Sequence, residues 1–444
     1  MEALRPPTLS YDMWYLIIGI LWENGEELYH RDLIPLSSTC KALRQLIAPR
    51  IFRAICLHNT AKSGAAVRAI SQGSLAGYVK ELQYMGTVSP ENDTNRPLEE
   101  VYPPDVDHLL SNLAFFPKLE RLHISFPYDS HSVWDEIWED FNDDFIDDPE
   151  KAKADENEFS WRGIMAASYR AIASNYEPER CPTGTDHLPL CFEIEELPMY
   201  MASTFASPSW THFMSQLKSF TLSFPRMDNG AGWNLNKHQG YYGFTENLPF
   251  WFFDHLKSVE HFEFDPAASG ILGEAGDANT YNIGVFQATM PKIRSLKFTN
   301  IAICEELRDF CVRHIGTLEK ISLHQCHAAG RPWMLWGDFF EALVEASPPR
   351  LREFELVHEN GDSKDEILDV GGYWADKGLV EQTKAKIQNE PEAEVFPYGY
   401  LNDKYGFRGS SENEGMTHFL EGGDDRAYKK LTKVVWKNRD STVP

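Results

Sequence analysis

The sequence predicts an α/β chain: a wholly helical N-terminal stretch, then a body in which short strands alternate with helices in an irregular repeat. Three observations predict it. Apolar residues near the start recur with helical period. A six-residue pattern, apolar-x-x-apolar-x-apolar, recurs along the next three hundred residues. Helical stripes precede several of its copies. Hydrophobic residues make up 42% and aromatics 13%, so a sizeable core is available and the chain is not of disordered composition.

In the first helix Ser10 can act as the cap and Asp12 sits in the positive first turn. Met13, Leu16, Ile17, Ile20 and Leu21 form one stripe, while Trp14, Tyr15 and Ile18 add apolar surface on the other side. A helix apolar nearly all round must be covered on two faces, by the following repeats or by a partner. After a polar turn, Asp32 is expected to cap a second short helix bearing Leu33 and Leu36, with Pro35 in its first turn. A third helix carries Cys40, Leu43, Leu46 and Ile47 and is expected to end near Pro49. Residues 51–57 then alternate as a strand.

This string resembles the F-box of fungal F-box proteins. Leu9 stands at the opening leucine, with Met13, Trp14, Ile17, Ile18, Ile20 and Leu21 on the first helix. Asp32, Leu33 and Leu36 match the middle segment, Cys40, Lys41 and Arg44 the third helix, and Phe52 the close. Ser10 departs from the family, which usually has proline there. The resemblance covers about a tenth of the chain. It implies that these residues dock a Skp-type adaptor and, through it, a cullin–RING ubiquitin ligase. A plain helical cap shielding the first repeat is the structural alternative.

The recurring hexads are Val79-Leu82-Tyr84, Leu119-Leu122-Ile124, Leu217-Phe220-Leu222, Val259-Phe262-Phe264, Ile293-Leu296-Phe298, Leu318-Ile321-Leu323 and Leu351-Phe354-Leu356. The strand half of a leucine-rich repeat is written this way, because a short strand points alternate side chains into a stacked core. One copy extends to Cys326, at the position that repeat reserves for Asn or Cys. Leu109, Leu110, Leu113 and Phe116 precede one strand; Leu307, Phe310 and Cys311 precede another, and Phe339, Phe340, Leu343 and Val344 a third. These features predict an irregular leucine-rich-repeat-like solenoid, strands on the concave side and helices outside. The long gap between Leu119 and Leu217 is expected to hide a missed unit at Leu190-Phe192-Ile194 and an insertion. The expected organisation is a docking module over 1–57, a repeat body over 58–358 with an acidic insertion at about 129–158, and a C-terminal cap over 359–444.

Within the insertion, acid pairs recur every four residues from Asp135/Glu136 to Asp147/Asp148, with Trp134, Ile137, Trp138, Phe141 and Phe145 on a helical stripe between them. Its readings are a solvated helix clamped on the body or a lip attracting a basic target. Residues 226–244, rich in Gly and Tyr, read as a long loop. In the tail, Tyr398, Tyr400, Tyr405 and Phe407 are expected to anchor extended pieces, and a basic helix is expected from Asp424 to Lys437.

The net charge of −25 disfavours nucleic acid and favours a basic protein partner. Seven dispersed cysteines fit a reducing compartment, so cytosol or nucleus is the expected location. The apolar run 13–22 is shorter than the roughly 20 residues a membrane span needs, and it lacks a cleavage site. The chain carries no Walker loop, G-x-S-x-G or H-E-x-x-H. No cofactor or metal is expected: Cys311-x-x-His314 with His324-x-Cys326-His327 reads as buried thiols and surface histidines. The expected role is a non-catalytic substrate-recognition subunit. The alternatives are a repeat scaffold outside the ubiquitin system and an acidic α/β hydrolase with a dispersed site.

Overall fold

A computed structural model describes residues 13, 30–86, 97–127, 148–177, 188–226, 232–237, 239–273, 284–330, 332–358 and 376–441. Nine five-residue strands form one parallel sheet: β1 (Ala54–His58), β2 (Glu81–Met85), β3 (Arg121–Ser125), β4 (Cys191–Glu195), β5 (Ser219–Ser223), β6 (His261–Asp265), β7 (Ser295–Thr299), β8 (Lys320–His324) and β9 (Glu353–Val357). Each pairs with the next in the chain, so spatial order equals sequence order. Because every step goes to the same edge, right-handed crossovers put the connecting helices on one face.

The hexads supply that face. The second and fourth residues of each strand are in register with those of its neighbours: Leu82, Leu122, Phe192, Phe220, Phe262, Leu296 and Ile321 form one row. All are essentially buried. Phe192, Phe220 and Phe262 stack at centroid spacings of 6.2 and 6.3 Å. Each such side chain contributes about 1.5–3 kcal/mol on burial. The suspected unit at Leu190-Phe192-Ile194 is β4, and the alternating segment 51–57 yields β1.

Helices precede the strands, and those after β1 cover the buried rows. They include α1 (His30–Thr39), α2 (Lys41–Ile51), α3 (Ala61–Ser71), α4 (Pro104–Leu110), α5 (Pro149–Glu158), α6 (Ser160–Ser174), α7 (Pro208–Gln216), α8 (Gln239–Trp251), α9 (Glu305–His314) and α10 (Trp336–Glu345). The insertion between β3 and β4 holds α5 and α6. Asp148 caps α5, its carboxylate accepting from the Glu150 N–H. Helix α6 is buried along nearly its whole length, Arg170 being exposed. Asn175 behind it accepts from the Leu113 N–H at 2.8 Å and donates to the Leu110 carbonyl at 2.6 Å, fixing the insertion to the preceding unit. The acidic stretch between 128 and 147 lies outside the described residues.

Three expectations are corrected. The segment 226–244 is not all loop: Gln239–Trp251 is helical, because Tyr241, Phe244, Leu248 and Trp251 make a buried stripe. Pro35 lies inside α1, not in a first turn opened by Asp32, and α2 runs past Pro49 to Ile51. Of the tail aromatics expected as anchors, Tyr398 is buried but Tyr400 and Phe407 are 48% and 44% exposed.

The C-terminal region contains α11 (Lys377–Asn389), a hairpin of β10 (Gly399–Leu401) and β11 (Arg408–Ser410), α12 (Glu412–Glu421) and α13 (Gly423–Asp440). Helix α13 packs along α10 and reaches β9. Ala427, Leu431 and Val435 are its buried stripe. Tyr428 meets Phe340 at 5.3 Å and Phe354 at 6.2 Å, closing the open end of the core. The Tyr398 hydroxyl donates to Asp424 at 2.7 Å, and the Gly337 N–H donates to the same carboxylate at 2.8 Å.

Buried His314 joins α9 to the turn before β7. Its Nε2 accepts from the Met290 N–H at 3.1 Å, and Nδ1 lies 2.9 Å from the Phe310 carbonyl, which sets the neutral tautomer. Burial lowers its pKa. Below the ordinary histidine value of about 6.5 the unfolded chain binds a proton that the folded chain resists, so this contribution is lost as pH falls through that window. Wild-type protein is expected to lose more thermal stability than His314→Gln between about pH 7 and pH 5. Parallel pH profiles of the two proteins would contradict it.

Candidate functional site: the open face of the sheet

The first, third and fifth residues of the strands point away from the helices. They are polar and half-exposed over most of the sheet. Register aligns the third residues into a central ladder: Gln83, His123, Glu193, Thr221, Glu263, Lys297, Ser322 and Glu355. Over the three outward rows, Glu81, Glu193, Glu195, Glu263, Asp265, Glu353 and Glu355 face only Arg121, Lys297 and Lys320 as fixed cations. The face is therefore acidic, like the chain.

The charges are not evenly satisfied. Lys297 pairs with Glu263. Lys320 lies 3.1 Å from Glu353 and 3.4 Å from Glu355, and hydrogen bonding to Glu353 raises its pKa. The Ser322 hydroxyl donates to Glu355 at 3.0 Å and, with Lys320, holds that carboxyl below its usual range. Both members of these pairs are substantially exposed, so the pairs fix geometry more than they stabilise. Toward the other end, His123 Nε2 lies 2.9 Å from Glu195. Glu193, the register partner of His123 and half-exposed, has no cationic partner among the described residues.

A groove of about 310 Å³ runs over β5–β9, lined by Thr221, His261, Glu263, Lys297, Ser322 and His324 among others. Partial burial, with Lys297 nearby, lowers the His324 pKa, and its Nε2 has no hydrogen-bond partner among the described residues. At the β8 end of this groove Arg408 of the hairpin donates to the Gln325 carbonyl at 3.0 Å. The serines and histidines here lack the arrangement of nucleophile, base and orienting group that acyl or phosphoryl transfer would use. Among the described residues, no group of three or more His, Cys, Asp or Glu is placed to hold a metal.

The thiols and histidines singled out in the sequence serve the core. Cys311 is buried in α9, and burial pushes its thiol up to about 12. Cys326, likewise raised to about 12, donates to the carbonyls of Phe298 and His324 at 3.6 and 3.3 Å, spanning adjacent units at the strand-end turn. His314 uses both ring nitrogens within the fold, and His327 is buried; neither is a surface histidine, because each lies between packed units of the repeat.

At the N-terminus, Leu33, Leu43, Leu46 and Ile47 form a small core of their own, joined by Leu36 and Ile51 and separate from the main core. Leu33 is 1% exposed, so it holds α1 to α2. Asp32 lies on α1. Cys40 caps α2, its sulfur accepting from the Leu43 N–H at 3.5 Å. Lys41 and Arg44 are exposed, and Phe52 is half-buried against the main core. Met13 is 50% exposed, and so is Ile34, at 52%, a residue the sequence pattern did not single out. Leu9, Trp14, Ile17, Ile18, Ile20 and Leu21 lie outside the described residues. Among the described residues no helix is long and apolar enough to cross a membrane. No family model and no curated protein matches the sequence.

Proposed function

We propose that this chain is a non-catalytic recognition subunit whose open sheet face holds a target protein, while its N-terminal helices dock a Skp-type adaptor of a cullin–RING ubiquitin ligase. The observation that carries the first half is the sheet: nine parallel strands in strict chain order, one face buried and the other left as a charged ladder. This order favours a leucine-rich-repeat-like solenoid over a doubly wound enzyme. Doubly wound sheets bind ligands where strand order reverses, and no reversal occurs here. A repeat surface instead offers side chains at fixed spacings to an extended partner.

The docking half rests on the F-box resemblance and on the separate small core of α1 and α2. A helix pair with its own core can present Ile34 to a partner without drawing on the body. Bond-forming chemistry would then belong to other subunits, and the chain would act by raising the local concentration of target lysines.

The acidic ladder fits a basic target segment. Glu193→Lys with Glu195→Lys reverses the charge at its least compensated point. Affinity isolation with the proteasome blocked is expected to recover a basic target with wild type and at least tenfold less with the double variant, with adaptor recovery unchanged. Equal target recovery with both proteins would remove the open face from the proposal.

A further inference from the structure

The hairpin of β10 and β11 carries aromatic surface that closing the core does not use. Leu401 and Arg408 are register partners. Leu401 is buried and Arg408 donates to the Gln325 carbonyl, so this pair faces the body. Tyr400 lies across Gly409 on the other face, where a Cβ would overlap its ring. Tyr400 and Phe407 stay exposed, as does Trp233 in the loop after β5. Tyr405 joins them: its ring stacks on Phe407 at 6.3 Å and meets Trp233 edge-on at 6.2 Å. Hydrogen bonds fix these rings in place. Asn402 Oδ1 accepts from the Tyr405 N–H at 2.8 Å, and the Gly406 N–H donates to the Asn402 carbonyl at 2.8 Å. Fully buried Asn236 donates to the Gly406 carbonyl at 3.0 Å, and the Asn234 N–H to the Tyr405 carbonyl at 2.8 Å. A contiguous aromatic strip kept in water on an anchored loop marks a contact, because little freedom is lost when a partner packs on it.

The strip lies along the carboxyl ends of the strands. It starts at the turn after β6, where Asn236 bonds to the carbonyls of Ser269 and Ile271, and ends at Gln325 after β8. Charge on the neighbouring open face is divided. Over β6–β9, Lys297 pairs with Glu263, and Lys320 with Glu353 and Glu355, so an apolar group arriving there strands no lone charge. On β4, Glu193 has no cationic partner and Glu195 meets only His123 among the described residues. We infer that this face takes an extended segment of the target with two anchors: a basic residue over Glu193 and Glu195, and a large apolar side chain packed on Tyr400, Tyr405, Phe407 and Trp233. The sheet sets their spacing. The strip begins two strands and ends four strands beyond β4, about 10–19 Å at roughly 4.8 Å per strand. An extended segment rises about 3.3 Å per residue, which puts the anchors about three to six residues apart. This inference rests on the proposed role of the open face and adds the second anchor and its distance from the first.

Fluorescence anisotropy on the full chain tests it with labelled synthetic peptides. Each has three arginines at one end and is otherwise serine; one adds phenylalanine about five residues beyond the arginines, another directly after them. The first phenylalanine peptide is expected to bind wild type at least tenfold tighter than the serine peptide, and the second to show less of that gain. Tyr400→Ser with Phe407→Ser should remove the gain, so that the peptides bind alike, at an unchanged melting temperature. Glu193→Lys with Glu195→Lys should weaken every peptide at least tenfold. Phenylalanine that adds nothing in wild type, or a gain that survives in the hairpin variant, overturns the inference and leaves the acidic face standing. An equal gain at both placements also overturns it, since the anchors would then not be separate. Failure of every peptide to bind wild type overturns the inference and the open-face reading together.

Discussion

Trp210→Ala is expected to destabilise the body by about 3–5 kcal/mol, the range for removing a fully buried large aromatic. Trp210 is 0% exposed on α7. Its ring meets Tyr169, Phe205, Phe213 and Phe252 at centroid distances of 5.3, 5.2, 5.3 and 5.8 Å. It therefore ties the insertion helix α6 to the units of β4, β5 and β6. Its Nε1–H also donates to the Trp251 carbonyl at 2.9 Å, and leaving that buried acceptor unpaired adds about 1–3 kcal/mol unless water enters. Domains of this kind are stable by about 5–15 kcal/mol in total, so much of the margin goes. Chemical denaturation should show the midpoint falling at constant slope. Trp210→Phe, which keeps most of the apolar volume, should cost less. A loss below about 1 kcal/mol for Trp210→Ala would mean that the aromatic cluster does not join these units.

The second large effect concerns the adaptor. Ile34→Asp is expected to cut affinity for a Skp-type adaptor while leaving the helix pair folded, because Ile34 is 52% exposed. Burial of an isoleucine contributes about 1.5–3 kcal/mol, which converts to roughly a 10- to 150-fold loss in affinity. Leu33→Asp should abolish binding for another reason. Leu33 lies inside the small core with Leu43, Leu46 and Ile47, and a buried unpaired carboxylate there is strongly destabilising. Hydrogen exchange across α1 and α2 separates the two: fast exchange for Leu33→Asp, wild-type protection for Ile34→Asp. Unchanged adaptor affinity in Ile34→Asp would exclude Ile34 from the dock.

The strands were legible because a half-covered strand writes its burial as alternation. Phe220 and Leu222, or Leu296 and Phe298, needed only the hexad to be placed in a core row. Helix α6 left no such trace: Ile164, Met165, Ala166, Ala167 and Ala171 are all buried, and periodicity vanishes when every side of a helix is covered. Helix α8 was hidden by Gly240 and Gly243 among its tyrosines, although the stripe from Tyr241 to Trp251 was present. The open face could not be read from the chain at all. Lys297 meets Glu263, and Arg294 meets Glu319 at 2.9 Å, only because register sets strands distant in sequence side by side. Cys311 and Cys326 read as core thiols from their places in the repeat, and both are buried; the neighbouring His314 and His327 read as surface residues because nothing in the chain shows which turns pack between units. Asp424 gave the start of a helix, but its bonds to Tyr398 and Gly337 depend on how the tail folds back.

Hydrogen–deuterium exchange of the full chain, with and without a purified Skp-type adaptor, decides whether the N-terminal helices are the dock. New protection is expected only in residues 9–52, with exchange across β1–β9 unchanged and the charged ladder left free for a target. Absence of added protection in 9–52, or protection spread over the strands instead, would contradict it.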